Sequence, residues 1–174
     1  VYDAADSLVF TIYKERRLDV PLEQVAPEVV SALLAIEDQR FYDHRGFDLI
    51  RIVSAGLANI RRGRAAQGGS TITQQLARQS FLTPDKTIRR KLQELILAAR
   101  IERRYSKPEI LGLYLNKVYF GDGLYGIEAA SQGFFGKHAS QLNLSEAALL
   151  AGLVKSPSSY APTVSVERAT ARRN

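Results

Sequence analysis

The chain has no cysteine, no methionine and no tryptophan among its 174 residues. Without cysteine there is neither a disulfide framework nor thiol chemistry, although the compartment stays open. Only two histidines occur, His44 and His138, and their wide separation in sequence argues against a histidine-based metal site. No run of 18 apolar residues exists, so nothing reads as a transmembrane helix. A secretory leader is not read either, because the chain opens on Val1-Tyr2-Asp3 rather than on Met and a basic stretch. Internal repeats and low-complexity tracts are missing as well. What is present, 45% apolar and 24% charged residues, is the composition of one globular domain, with or without a small lobe.

Charge is unevenly spread. Residues 49–104 carry twelve Lys and Arg against Asp85, Glu94 and Glu102, a net +9. The remainder holds twelve against fifteen, or −3, which together give the +6 of the whole chain. One central segment therefore points to an anionic partner: phosphate, nucleic acid or a lipid surface.

The stretch from Ala35 to Asp48 organises the rest. Val29, Val30, Leu33, Leu34 and Ile36 recur near helical spacing, and Pro27 suits the first turn of a helix running to about Asp38. Glu37 lies four residues after Leu33 and three after Leu34, at the edge of that apolar stripe. A carboxylate there loses hydration, which should raise its pKa toward that of a proton acceptor working near neutral pH. The plainer alternative is a capping or salt-bridged Glu-Asp pair at a helix end.

Upstream, Val9, Phe10, Ile12, Tyr13, Leu18 and Val20 alternate enough for a short strand or hairpin, closed by Pro21. Downstream, Leu49 to Ile60 gives a helical pattern ending in Arg61-Arg62-Gly63-Arg64. That is either ordinary core or a helix in a membrane interface with basic residues on lipid phosphates. In Gly68-Gly69-Ser70-Thr71, Ser70 or Thr71 can cap the helix that follows. Free N–H groups at such a start suit anions. The Gly-Lys-Ser/Thr ending of a nucleotide-binding loop is absent.

Thr83-Pro84-Asp85 reads as the start of a helix over about 84–104. Leu95 to Ile101 is apolar on almost all sides, which predicts a central, buried helix. Glu94 falls between the directions of Ala98 and Ile101, with Arg90 and Lys91 one turn before it. It is a second candidate carboxylate, or one half of a helix-face salt bridge. Ser106 to Glu109 has the form of a capping box for a helix through Leu115, stopped around Gly121-Asp122-Gly123. Ile127 to Phe135 predicts a short helix closed by Gly136. Ser145-Glu146 predicts the cap of a helix from Ala147 to Val154. Pro157 and Pro162 bound a loop holding Tyr160, and the pattern turns helical again from Val166, which suggests a fragment of a longer chain.

Taken in order, five motifs resemble the peptidoglycan glycosyltransferase domain of glycosyltransferase family 51, found in class A penicillin-binding proteins and monofunctional murein polymerases. They begin at Glu37-Asp38-x-x-Phe41-x-x-His44-x-Gly46-x-Asp48 and Gly68-Gly69-Ser70-Thr71-Ile72-Thr73-Gln74-Gln75. Arg90-Lys91-x-x-Glu94 and Lys107-x-x-Ile110-Leu111-x-x-Tyr114-Leu115-Asn116 follow. Tyr125-Gly126-Ile127-Glu128-Ala129-Ala130-Ser131 through Phe135-Gly136-Lys137 completes the set.

The resemblance implies a mainly α, lysozyme-like domain over 1–174, with a head and a membrane-associated jaw at about 49–90. It implies polymerisation of lipid II onto a growing glycan strand, with inversion and release of undecaprenyl pyrophosphate. Glu37 would be the general base. Arg78, Lys86, Arg90 and Lys91 would meet the pyrophosphate, and Ser70, Thr71, Gln74 and Gln75 would line the donor site. Asp38, Phe41 and His44 belong to the same implied substrate site. Glu94 would orient the cations or help hold a divalent ion (Mg or Mn) that some members use; no cofactor is obligatory.

The implied setting is the outer face of the plasma membrane, against an anionic surface, with other cell-wall synthesis proteins as possible partners and no nucleic acid. Gly112 departs from the family pattern, where many members carry Glu. A missing membrane anchor is a second departure, and leaves attachment to the jaw alone. The rival readings are a lysozyme-like muramidase or lytic transglycosylase that cleaves glycan, and a basic nucleic-acid-binding module. The chemistry favours the polymerase: a sugar hydroxyl needs a positioned base, whereas pyrophosphate needs charge stabilisation rather than an acid.

Overall fold

The computed structural model describes residues 16–54, 69–83, 85 and 87–173. The chain is mainly helical, as expected. The first long helix, α1 (Pro27–Glu37), starts with Pro27 at its first turn, where a missing N–H costs nothing. It buries Val29 and Leu33. A second helix, α2, begins at residue 49 and is described through 54. Residues 55–68, which hold the expected remainder of that helix, Arg61-Arg62-Gly63-Arg64 and Gly68, lie outside the described set. So do Pro84, Lys86 and the predicted strand residues Val9, Phe10, Ile12 and Tyr13.

Thr71 caps α3 (Ile72–Phe81) by accepting the Gln74 N–H through its side chain. The next helix, α4 (Ile88–Arg104), starts four residues later than the sequence predicts. Its cap is Thr87, which accepts from Arg90 N–H. Thr83 instead donates its hydroxyl to the Asp85 carboxylate, 2.9 Å away. Nor is α4 buried all round: Glu94, Ala98 and Ile101 face inward, while Ile88, Leu92 and Ile96 form an exposed apolar stripe at four-residue spacing.

The capping box at Ser106 and Glu109 launches α5 (Lys107–Lys117) as predicted. The chain then does more than stop. β2 (Tyr119–Gly121) and β3 (Leu124–Tyr125) form an antiparallel hairpin around Asp122-Gly123, both with positive φ (51° and 75°). Asp-Gly is the composition that such a two-residue turn demands. β1 (Arg16–Arg17) adds in parallel to β3, giving the order β1-β3-β2. Strands of two and three residues are too short to show alternation, which is why this hairpin is invisible to periodicity.

Helix α6 (Ile127–Phe135) ends at a left-handed Gly136, as predicted. Helix α7 (Leu144–Leu153) is capped by Asn143 rather than Ser145, with Glu146 closing the capping box. Pro157 opens a short helix, α8 (Pro157–Tyr160), where a loop is expected, and α9 (Val166–Arg173) follows. A single hydrophobic cluster joins Leu33 of α1, Ile72 and Leu76 of α3, Ile110 and Tyr114 of α5, Ile127 of α6 and Leu150 of α7. α3, which falls within the 49–90 segment, is part of this central core.

Gly112 sits in the middle of α5 with only Leu22 Cβ near its missing side chain, at 3.7 Å, an ordinary contact. Because a methyl fits and glycine weakens a helix interior, Gly112→Ala is expected to raise stability by about 0.5–1 kcal/mol. Urea denaturation of the two proteins measures it.

Candidate active site

The end of α1 and the start of α3 meet through two consecutive carboxylates. Asp38 is fully buried and accepts the backbone N–H of Ile72 at 3.0 Å. It satisfies one of the orphan donors at the α3 N-terminus, where a negative charge is also favoured by the helix dipole. The same carboxylate meets His44 Nε2 at 3.0 and 3.1 Å, and Arg51 at 3.8 Å. Glu37, one residue earlier, is half-buried, and its Oε2 accepts from Gln75 Nε2 at 2.7 Å. Gln75 is itself oriented from behind, because Tyr114 donates its hydroxyl to Gln75 Oε1 at 3.1 Å. With Oε1 occupied, the amide has its N–H groups left for Glu37. Burial, then the nearby charge of Glu37, pushes the Tyr114 hydroxyl well above its ordinary pKa, so it remains a donor.

The loop between α1 and α2 is fastened to the same framework. Gly46 has φ of 89°, and a Cβ there would come within 3.1 Å of the Ala98 backbone on α4. Its carbonyl accepts from Thr71 Oγ1 at 2.7 Å and Gln74 Nε2 at 3.1 Å. Phe41 is fully buried beneath Lys107, whose ammonium lies 4.4 Å from the ring centre, and contacts His44 edge-on. Lys107 also donates to the His44 carbonyl at 2.6 Å. Asp48 pairs with Arg40 and accepts the Arg51 N–H at 2.9 Å; these bonds, the Arg40 one foremost, hold its carboxyl below the usual range.

A second acid organises the cations. Glu94 is fully buried, pairs with Arg90 on one oxygen and accepts from Lys91 at 2.9 Å on the other. Arg78 approaches to 3.9 Å from α3. Lys91 spends its remaining protons on Ser70 Oγ and Gln74 Oε1, both at 2.8 Å. Desolvation, then the neighbouring charges of Arg78 and Arg90, pushes the Lys91 ammonium down to about 8.

A cleft of about 370 Å³ exposes the result. Its walls include Glu37, Arg51, Ser70, Gln75 and Arg78, with Lys155 and Arg172 beyond them. Glu37 and Glu94 are thus joined: Arg78 lines the cleft beside Glu37 and reaches Glu94 behind it. Of the sequence-predicted residues, Glu37, Ser70, Gln75 and Arg78 are on the cleft. Thr71, Gln74, Asp38 and Phe41 are buried, and of these Asp38 reaches a lining residue, Arg51. Lys86 lies outside the described residues. Tyr114, Arg51 and the Gly46 carbonyl are not among the predicted site residues. Only a buried hydroxyl in the Lys107-to-Asn116 motif hinted at the first.

The donor set does not by itself build a divalent-cation site. Both Glu94 oxygens are taken by cations, and among the described residues no three His or acidic side chains gather around a common point.

Comparison with known proteins gives a consistent picture. The family model described as "Transglycosylase" matches residues 5–174. Penicillin-binding protein 1A of Aquifex aeolicus is 49% identical over 174 residues, all of this chain and 24% of that protein. Penicillin-binding protein 1A of Escherichia coli is also 49% identical over the whole chain, covering 20% of its own length. Penicillin-binding protein 2D of Bacillus subtilis is 52% identical over 163 residues, 94% of this chain and 24% of that one. The chain therefore spans about a quarter or less of the curated relatives it matches. The crystal structure of penicillin-binding protein 1A from Haemophilus influenzae superposes with a TM-score of 0.53 and 26% identity, over 99% of this chain and 16% of that one.

Removing the Asp38 carboxylate strands the Ile72 N–H and the imidazole of His44 in a buried site. Asp38→Ala is expected to lose about 3 kcal/mol, measured by urea denaturation. Asp38→Asn, which keeps an acceptor for Ile72, is expected to lose less.

Proposed function

The chain belongs to the transglycosylase family, and on that footing we propose that it is a peptidoglycan glycosyltransferase whose acceptor base is Glu37. The supporting observation is that one half-buried carboxylate shares a cleft with a cation cluster anchored on a second, fully buried carboxylate. In the proposed reaction Glu37 takes the proton from the 4-hydroxyl of the acceptor GlcNAc. The freed oxygen attacks the anomeric carbon of the donor glycan from the face opposite its phosphate. The glycosyl–phosphate bond breaks, a β-1,4 link forms with inversion, and undecaprenyl pyrophosphate leaves.

Charge stabilisation of that leaving group is the role proposed for Arg78, Arg90 and Lys91. Arg78 is the one of the three that lines the cleft itself. Ser70 accepts from Lys91, which leaves its own O–H free to donate to an anion. Glu94 holds the cations in position and neutralises part of their mutual repulsion in the empty site.

The substrates proposed are lipid II and the growing strand, at the outer face of the plasma membrane. No helix among the described residues is long and apolar enough to cross a bilayer. A membrane contact is proposed through exposed apolar side chains: Leu49, Ile50 and Val53 of α2, each more than half exposed.

Glu37→Gln preserves shape and removes the base, so polymerisation of lipid II is expected to fall by at least about a hundredfold while the melting temperature holds. Shortening of purified sacculi by the wild type, with no polymer from lipid II, would instead mean a hydrolase.

The pH response has a defined sign. The Lys91 ammonium is lost as pH rises through about 8, so polymerisation should decline on that alkaline limb, and Lys91→Arg should move the limb upward. Stability runs the other way. Because the folded value lies below the ordinary 10.5, the unfolded chain holds more protons between pH 8 and 10.5, and this residue's contribution to stability rises across that window.

A further inference from the structure

Tyr114 of α5 is fully buried within the central hydrophobic cluster, where a phenylalanine would fill the same volume without a polar atom. A buried hydroxyl costs free energy unless it is hydrogen-bonded. Among the described residues its partner is Gln75 Oε1 of α3, at 3.1 Å. Tyr114 is not among the residues lining the cleft. The hydroxyl therefore faces another protein group and not a ligand.

Three groups form a chain with one polarity. Tyr114 O–H donates to Gln75 Oε1, and Gln75 Nε2 donates to Glu37 Oε2 at 2.7 Å. Reversing the Gln75 amide would turn its carbonyl toward Glu37 and its NH2 toward Tyr114. The Tyr114 hydrogen would then be buried without an acceptor, and the carbonyl could be met by Glu37 only in its protonated form. Burial, then the charge of Glu37, keeps the tyrosine hydroxyl protonated, so that hydrogen is always there to be placed. The neighbouring amide is set in the same way: Lys91 donates to Gln74 Oε1 at 2.8 Å, and Gln74 Nε2 donates to the Gly46 carbonyl at 3.1 Å. Each glutamine is oriented by a donor from another helix and then has a fixed N–H to present.

We propose that Tyr114 is a positioning residue for the reaction: acting through the Gln75 amide, it holds Glu37 in the ionised form that accepts a proton. The inference rests on the glycosyltransferase reading, in which Glu37 is the base. The hydroxyl acts by excluding one state, the reversed amide with a protonated Glu37, in which that carboxyl can donate but not accept. Because Tyr114 stands behind the cleft, its loss alters turnover and leaves substrate binding in place.

The charged groups around the base are Arg51 of α2, Arg78 of α3, Lys155 after α7 and Arg172 of α9, all on the cleft, with Asp38 beside it in the chain. Glu37, Asp38 and Arg78 act on Tyr114 itself. Tyr114→Phe alters none of them and removes the hydroxyl alone. Without it the amide is free to present its carbonyl, the protonated form of Glu37 gains, and the pH below which the base is lost rises.

The acid limb of the kcat profile for lipid II polymerisation is therefore expected to move up by about one pH unit in Tyr114→Phe, the size of one hydrogen bond to a charged group. Well below the limb kcat falls by about tenfold. On the plateau it is nearly restored, since an ionised Glu37 draws the amide back, and KM changes little at any pH. Replacing Tyr114 by 4-aminophenylalanine, which offers an N–H in place of the O–H, should return the limb toward its wild-type position. Carbon-13 NMR of the Glu37 carboxyl, assigned by its loss in Glu37→Gln, follows the same midpoint without substrate and well below the melting transition.

A Glu37 titration that stays put in folded Tyr114→Phe overturns the assignment and leaves the reaction standing. So does a loss of rate that is equal at every pH, which is what a damaged core alone would give. A titration that moves, in a protein whose wild type makes no polymer, refutes the reaction and the catalytic role with it.

Discussion

The α3 N-terminus, held under the end of α1 by the Asp38 carboxylate, is the constraint from which the site follows. A helix start has several N–H groups without partners, and leaving them buried and unmet is costly. Asp38 meets one of them and in doing so fixes the register between two helices far apart in sequence. Once α3 is fixed, Gln75 falls against Glu37, and Thr71 and Gln74 reach the Gly46 carbonyl. The adjacent Glu37 is thereby presented to the cleft by the same turn that secures the core. Positioning and packing are one arrangement here, not two.

Electrostatics supply the other half. A fully buried Glu94 without partners would be prohibitively costly, and three cations close by without a counter-charge would repel one another. Each needs the other, and the packing of α3 on α4 brings them together. The residual strain shows in Lys91, whose ammonium is harder to keep charged than an ordinary lysine. A cation cluster poised in this way gains from a doubly charged ligand. That is the character required at a departing pyrophosphate and the opposite of what a glycosidase acid needs.

Local chemistry was legible where one residue decides the outcome. Pro27 at a first turn, the Ser106–Glu109 box and Gly136 at a left-handed stop all appear where the sequence puts them, and of the two cap candidates Ser70 and Thr71 the structure takes Thr71. The misreadings share a cause. Thr83 against Thr87, and Ser145 against Asn143, are choices between neighbouring capping residues that differ only in what surrounds them. The apolar run in α4 predicts burial on every side, yet Leu92 and Ile96 are exposed because the helix packs through one face only. The Asp122-Gly123 hairpin has its turn signal, but strands too short for a period.

The sequence by itself determined the helical class, the family, and the placement of Arg90 and Lys91 one turn before Glu94, because capping, spacing and motif order are local properties of the chain. Tertiary structure alone decided which residues reach the cleft. Thr71 and Gln74 are adjacent to lining residues in sequence but turned inward, whereas Tyr114 acts on Glu37 from 77 positions away through Gln75. Arg172 joins the same cleft because α9 lies against Gly152 of α7. Side-chain direction depends on which face of a helix meets a neighbour, and that is settled by packing between distant segments, about which a linear pattern carries no term.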